Sequence, residues 1–222
     1  MYATSHETWK SAVNMYVDDA HFSSDVDESS TYLADLGAPI AVDADGILVA
    51  QSIAALATVT TFATSYSSPV QPAPLGKYGR NVTMIASGAA TSGVRVDGRD
   101  YLGQPITETF VLAGAATVAG KKAFAHIEQV VITSTTGATT INVGWGDVLG
   151  LPYKAHGVLQ AYEAGLVAAG TFVTPILVTQ TATTGDPRGT YDPVAACNGV
   201  VTVQVLCKVD KTNLYGEPHF RA

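Results

Sequence analysis

Histidines and a few grouped carboxylates are the residues of this chain that could do chemistry. No two histidines have the spacing of metal ligands; they are His6, His21, His126, His156 and His219. A hydrolase would need a nucleophile with a base and an orienting group, and no G-x-S-x-G nucleophile elbow occurs. Paired carboxylates for glycoside hydrolysis meet only in space, so the sequence leaves them open. These patterns predict a protein that is not an enzyme, with no catalytic residue, metal ligand or cofactor.

Two short motifs imitate ligand-binding loops. Asp43 and Asp45 open like a calcium loop, but residues 47–57 contain no carboxylate to complete it, so a turn is the better interpretation. The segment Gly144–Gly150 has glycines at almost the spacing of a dinucleotide loop, yet the spacing is wrong by one residue and Pro152 follows. We expect a glycine-kinked strand end there, with Trp145 packed on the body.

Carboxylates also flank a long loop near the middle of the chain. Asp97, Asp100 and Glu108 could hold a cation, but Arg95 and Arg99 are better placed as their partners. Ion pairs are therefore the expected role of these acids.

The residues around that loop are rich in strand signals. Val94–Asp97 alternates apolar and polar side chains, glycines bracket the loop Gly98–Gly103, and Ile106–Leu112 alternates again, which predicts a β-hairpin. Further predicted strands are Phe124–Thr133, Thr139–Val143, Leu151–His156, Thr171–Thr179 and Gly199–Val209. Little helix is expected: a weak one at Glu7–Val17, a short helix or continued strand at Ser52–Ala57, and a turn at Gln160–Gly165.

About ten short strands separated by Gly, Pro and Thr turns predict an all-β fold. The body is expected to be a β-sandwich, jelly-roll-like, with a closed β-barrel as the alternative. Composition divides the chain into an extended N-terminal arm (1–37), a mixed segment with a Pro-rich connector (38–80), the sandwich body (81–211) and a C-terminal tail (212–222). Aromatic side chains on the arm and tail would pack on a neighbouring subunit or, equally, on the chain's own body. These candidate subunit-interface residues are Trp9, Tyr16, Phe22, Tyr215 and Phe220.

Charge and hydropathy restrict the partners. The net charge is −7 and the Lys and Arg residues are scattered, which argues against a grip on nucleic acid. The most apolar stretch, Gly46–Val59, is interrupted by polar residues and is shorter than the roughly 20 residues of a membrane span, so no membrane partner is expected. Charged residues are 14% of the chain, against roughly 25% in ordinary soluble domains. This favours a surface hidden against neighbours, with a Thr/Ser-rich polar surface as the alternative.

The cysteines and the N-terminal sequence bear on the compartment. Cys197 and Cys207 are too few for a disulfide framework, and Cys207 continues the apolar face of the last predicted strand, where we expect it to be buried. The first residues show no basic segment followed by an apolar one, so no secretory signal is expected. Both observations fit assembly in a cytoplasm.

Four motifs between residues 98 and 193 together resemble those of one group of viral proteins. They are a G-x-D-x-x-G hairpin loop with a following glutamate, a G-K-K-A-F turn, a V-G-x-G-D-x-L-G-L-P segment and a D-P-R-G-T-Y-D-P loop. In this chain they are Gly98–Gly103 with Glu108, Gly120–Phe124, Val143–Pro152 and Asp186–Pro193. The chain resembles the capsid cement or decoration proteins of tailed bacteriophages over roughly its last two thirds.

The resemblance implies a structural virion protein on the capsid exterior, assembled in the host cytoplasm. Its partners would be the major capsid protein, whose adjacent subunits it would clamp in the assembled shell, and other copies of itself, as a dimer or trimer. The alternatives are a tail-tube, adaptor or fibre component of the virion, or a carbohydrate-binding β-module. For the β-module, Trp145 and Tyr153 are the candidate contact residues.

Overall fold

The structure is a computed structural model that describes residues 29–63, 66, 74–136, 139–175, 185–210 and 213–216. Within these residues the chain forms fourteen strands, and all their pairings are antiparallel. In chain order they are β1 (Ser29–Gly37), β2 (Asp43–Ser52), β3 (Ala57–Val59), β4 (Arg80–Ala86), β5 (Gly93–Arg99), β6 (Pro105–Val111), β7 (Val118–Ala119), β8 (His126–Ile132), β9 (Thr140–Gly150), β10 (Ala155–Glu163), β11 (Leu166–Ala168), β12 (Thr171–Val173), β13 (Thr190–Asp192) and β14 (Val203–Asp210). The predicted all-β class is confirmed, with a sandwich-like body.

Three sheets contain these strands. Sheet A has the order β1-β14-β10-β11, and sheet C has the order β3-β8-β5-β6. Sheet B has the order β12-β13-β9-β4-β7, and β2 also pairs with β9. The eleven residues of β9 therefore pair with three strands and form the centre of sheet B.

Two apolar clusters hold the sheets together. The larger one lies between sheets B and C, where side chains such as Met84 and Val143 meet Val96 and Ile127. The smaller one joins the inner face of sheet A to the ends of β9 and β13, with Val205 packed near Tyr191. Burying each large aliphatic side chain contributes about 1.5–3 kcal/mol, so these clusters are the main source of stability. Cys207 is 2% exposed within the second cluster, which confirms the expectation for this residue.

The predicted hairpin is present. β5 and β6 pair in unbroken register from Gly93–Val111 to Arg99–Pro105, and residues 100–104 form the loop between them. Alternation sends Val94 and Val96 into the core, while Arg95 and Asp97 face outward, because successive side chains point to opposite faces of a strand.

Three local expectations are wrong. Residues 160–163 continue β10 instead of forming a helical turn, and the chain reverses at Ala164 and Gly165, whose φ angles of 51° and 77° suit a tight hairpin turn. The strand expected at 151–156 begins only at Ala155. Between β2 and β3 the chain bends at residues 54 and 55, so no helix forms there. In the first case, pairing of β10 with β11 and β14 outweighs a short local pattern.

The predicted arm is also too long. Residues 29–37 form β1, an outer strand of sheet A paired with β14, and its Ala34 and Leu36 are buried in the smaller cluster. Segment 38–80 likewise contributes β2 and β3 to the body. The residues before 29 are rich in acidic and aromatic side chains. The composition-based division grouped residues 29–37 with them, so the strand in 29–37 was not predicted.

The glycines of β9 do not end the strand. They allow close backbone approach: a Cβ at Gly144 would lie 1.7 Å from the Asp43 carbonyl oxygen, and one at Gly146 would lie 2.6 Å from Asn81 Oδ1. Trp145 between them is 3% exposed, and its indole N–H donates to the Ala41 carbonyl over 2.9 Å. Trp145 packs on the body as expected, and its burial removes it from the candidate carbohydrate contacts.

Candidate interaction surface

Motif residues that lie far apart in the chain come together in space. The β5–β6 loop contacts the loop before β13 through Asp100 and Arg188, whose Oδ2 and Nη1 atoms are 2.9 Å apart and fully buried. The Ala155 N–H donates to the Arg188 carbonyl (3.1 Å), and the Lys154 N–H donates to the Leu214 carbonyl (2.8 Å). The motifs therefore build one region of the molecule.

Asp100 also shapes its own loop. Its Oδ1 accepts the N–H groups of Leu102 (2.9 Å) and Gln104 (2.8 Å). Gly103 has a φ of 77°, in the left-handed region that glycine adopts without steric cost. Because Oδ2 bonds to Arg188, one carboxylate fixes both the shape of the hairpin loop and its contact with residues 185–189.

Glu108 plays the same part for the turn before β8. It points inward from β6, and its carboxylate accepts the N–H groups of Lys121 (2.7 Å) and Lys122 (3.4 Å). Burial raises the Glu108 pKa to about 7; the nearby Asp186 also raises it, while the N–H groups and the Lys122 ammonium lower it. A Cβ at Gly120 would lie 2.5 Å from Glu108 Oε2, which explains the glycine of the turn.

Asp186 connects the turn to the last loop. Its Oδ2 accepts the Ala123 N–H (3.2 Å), and its Oδ1 accepts the Arg188 N–H (2.9 Å). Lys122 is 1% exposed, and burial lowers its pKa. We call these five buried charged residues the charge cluster: Asp100, Glu108, Lys122, Asp186 and Arg188. Such a cluster adds little net stability, but removing one partner costs about 3–5 kcal/mol, so it holds the loops in one arrangement.

Five tyrosines lie close to one another, and one of them, Tyr101, contacts the charge cluster through Arg188. We call them the tyrosine surface: Tyr32, Tyr78, Tyr101, Tyr153 and Tyr215. Ring centroids are 4.6 Å apart for Tyr32 and Tyr153, 5.7 Å for Tyr153 and Tyr215, and 5.2 Å for Tyr78 and Tyr101. Edge-on and tilted pairs of this kind are favourable arrangements of aromatic rings. The tyrosine surface combines apolar area with hydroxyl groups.

The charge cluster supports the tyrosine surface directly. The Arg188 guanidinium carbon lies 4.9 Å from the centre of the Tyr101 ring, and the Tyr101 hydroxyl donates to the Pro152 carbonyl. Burial raises the pKa of Tyr101 well above its ordinary value, so its hydroxyl stays protonated. Tyr215 is 49% exposed and the other four rings are half-buried. Half-buried, pre-ordered tyrosines are the residues that protein interfaces favour.

The structure describes one of the five candidate subunit-interface residues. Tyr215 lies on the tyrosine surface, in contact with Tyr153, whereas Trp9, Tyr16, Phe22 and Phe220 lie outside the described residues. Sequence reasoning missed Tyr32, Tyr78 and Tyr101 as a group, because they stand on three separate segments without a common period. A signal was available: Tyr101 and Tyr153 each stand within or next to a motif that carries the resemblance.

A second surface feature is a polar groove of about 250 Å³ on sheet C, lined by Arg95, Asp97, Gly98, Pro105, Ile106, Thr107 and Glu128. Asp97 is held by Arg95 (3.0 Å), Thr107 (2.9 Å) and Gln129 (2.6 Å). The expected partnership of Arg95 with Asp97 is confirmed, and Arg99 pairs with Glu128 instead (2.6 Å). Within the described residues, no three His, Cys, Asp or Glu side chains are grouped to bind a metal ion.

Comparisons with known proteins give no relative for this chain. No family model matches it, and neither the curated proteins nor the solved structures include a match. Among the described residues, no helix has the length and apolar character needed to cross a membrane.

Proposed function

We propose that the chain is a capsid cement or decoration protein of a tailed bacteriophage, which acts by contact and not by catalysis. It would bind the exterior of the assembled shell and clamp adjacent major capsid subunits, and its copies would associate as dimers or trimers. The observation that carries this proposal is the tyrosine surface, ordered on a buried charge cluster that the resembling motifs build.

The physical argument concerns the cost of binding. Ordering loops and side chains at an interface lowers affinity. The charge cluster already orders the loop of Tyr101, and backbone hydrogen bonds from Lys154 to Leu214 and from Ala155 to Arg188 order the segments of Tyr153 and Tyr215. A modest affinity for each copy is enough, because many copies bind one shell. A protein that binds only the assembled shell stabilises that state by linkage.

The test is binding of the purified chain to bare shells of the virus whose genome encodes it. Tyr215→Ala should weaken binding about tenfold, the usual effect of truncating an aromatic residue at an interface centre. The control is Leu56→Ala, which alters a side chain that is 68% exposed between β2 and β3. Binding of Tyr215→Ala equal to that of Leu56→Ala would remove the tyrosine surface from the proposal. Absence of binding by the unaltered chain would remove the cement function itself.

Two other functions remain distinguishable in the same preparation. A tail-tube, adaptor or fibre component should form rings or tubes visible by negative-stain microscopy. A carbohydrate-binding β-module should bind a glycan array through the exposed rings of the tyrosine surface, and Tyr215→Ala should abolish that signal. The tyrosine surface is the observation that supports the carbohydrate alternative, because sugar rings pack against exposed aromatic rings.

A further inference from the structure

The outer face of sheet A carries a short apolar row formed by Leu33 on β1 and Leu206 on β14. Because Val203, Val205, Cys207 and Val209 point inward, the alternate residues of β14 point outward. Leu206 lies between Leu33 on β1 and Gln160 on β10 in the strand register. The outward residues whose side chains the structure describes are Thr31, Leu33, Asp35, Gly157, Gln160, Tyr162, Val167, Gln204, Leu206 and Lys208.

Exposure differs along this face. Leu33 is 48% exposed, Leu206 is half-buried, and Val167, which lies in the neighbouring register row with Tyr162, Gln204 and Asp35, is 70% exposed. Leu159, at the register shift between Val158 and Gln160, is 55% exposed and extends the row. The open face of an antiparallel sheet is usually polar, so large aliphatic side chains across its middle need a partner.

The charges on this face point to a second copy as that partner. Two chains of net charge −7 repel each other, so a contact between copies needs a face with few like charges. Among the outward residues with described side chains there is one carboxylate, Asp35, and one ammonium, Lys208. They lie on opposite sides of the leucine row, since Lys208 is opposite Thr31 and Asp35 is opposite Gln204.

We propose that two copies pack these faces together about a two-fold axis perpendicular to the strands and centred on the Leu33–Leu206 row. Such an axis reverses strand direction, so each leucine row meets the other and Asp35 of one copy faces the side that carries Lys208 of the partner subunit. The two charges stand about 7 Å from the row, and packed sheets are about 10 Å apart, a gap that an extended lysine and an aspartate side chain can bridge together. The interface would have an apolar centre and a reciprocal charged rim.

This inference deepens the self-association in the proposed function, but it rests only on the outer face and is tested without shells. Light scattering and sedimentation should show a dimer whose dissociation constant rises about tenfold or more in Leu33→Glu. The matched control is Val111→Glu on β6 of sheet C, where the side chain is 65% exposed. A monomer at all concentrations, or equal dimerisation by the two variants, would overturn the proposal.

The proposed facing of Asp35 and Lys208 of the partner subunit can be tested by exchanging the two charges. Asp35→Lys and Lys208→Asp should each weaken the dimer, and the double variant should restore it, because the exchange keeps opposite charges facing each other. Loss of dimerisation in all three variants would overturn the two-fold geometry, and so would the absence of any effect.

Cross-linking tests the same contact without weakening it. Both native cysteines are buried, and burial raises each pKa to about 12, so neither competes for a thiol reagent. A short bis-maleimide should link Leu33→Cys into a covalent dimer and leave Val111→Cys monomeric. Equal linking of the two variants, or linking of Val111→Cys alone, would contradict the proposed face.

Discussion

Single buried residues set how this molecule responds to pH. Glu108 sits in the charge cluster with its pKa raised to about 7 by burial, against 4.5 for an ordinary glutamate. The folded chain therefore keeps a proton that the unfolded chain releases between about pH 4.5 and pH 7. Over that range the contribution of Glu108 to the free energy of unfolding falls as the pH rises, by about 3 kcal/mol for a shift of this size, and above it the contribution is flat.

Glu108→Gln should remove this slope, since the amide imitates the protonated acid and still accepts the Lys121 N–H. We expect the free energy of unfolding, measured by urea titration from pH 5 to pH 8, to decline in the wild type and to lose that decline in the variant. Glu128→Gln is the control, because its carboxylate is 41% exposed and pairs with Arg99 at the surface. An unaltered pH slope in Glu108→Gln would show that the proton resides elsewhere.

Glycine positions give a second prediction at this scale. Gly144→Ala places a methyl group 1.7 Å from the Asp43 carbonyl oxygen, so β2 and β9 must separate. We expect a loss of about 3 kcal/mol or more in the free energy of unfolding. Gly157→Ala on β10 meets nothing within 4 Å and should change stability by less than about 1 kcal/mol. Similar thermal melting temperatures for the two variants would contradict this account.

At the scale of elements, β1 decides where the chain can be shortened. Removing residues 1–28 leaves every described strand in place, whereas removing residues 1–37 deletes β1, exposes the edge of β14 and removes Ala34 and Leu36 from the core. We expect the shorter truncation to unfold cooperatively near the wild-type temperature and the longer one to lose several kcal/mol or fail to fold. Shell binding by the shorter truncation then tests the predicted arm separately from the fold. Full stability after removal of residues 1–37 would contradict the role of β1.

An element could be predicted from the sequence when the residues that cause it are neighbours in the chain, and could not when they are distant. The β5–β6 hairpin and the apolar face of β14 follow from alternation alone, since each strand has one buried face. The continuation of β9 through Gly144 and Gly146 could not be predicted, because its cause is β2 and Asn81, distant in sequence. The extension of β10 to Glu163 likewise depends on its pairing with β14.

At the scale of the whole molecule, the described body presents two different surfaces. The tyrosine surface rests on fixed loops, and the outer face of sheet A is a flat apolar row with a charge on either side. Under the proposed cement function, one surface would face the shell and the other a neighbouring copy, and such bivalent attachment multiplies modest affinities. The variants Tyr215→Ala and Leu33→Glu should therefore separate shell binding from dimerisation.

The sequence by itself determined the all-β class, the hairpin and the low surface charge, because these follow from local alternation, turn residues and composition. It also picked out Asp100, Glu108 and Asp186 within motifs, without showing what they do. Only the tertiary structure brought them to Lys122 and Arg188 as one buried cluster, gathered five scattered tyrosines beside it, and buried Trp145. The physical reason is that ion pairing and ring packing depend on distances between segments as far apart as residues 100 and 188, which no local pattern encodes.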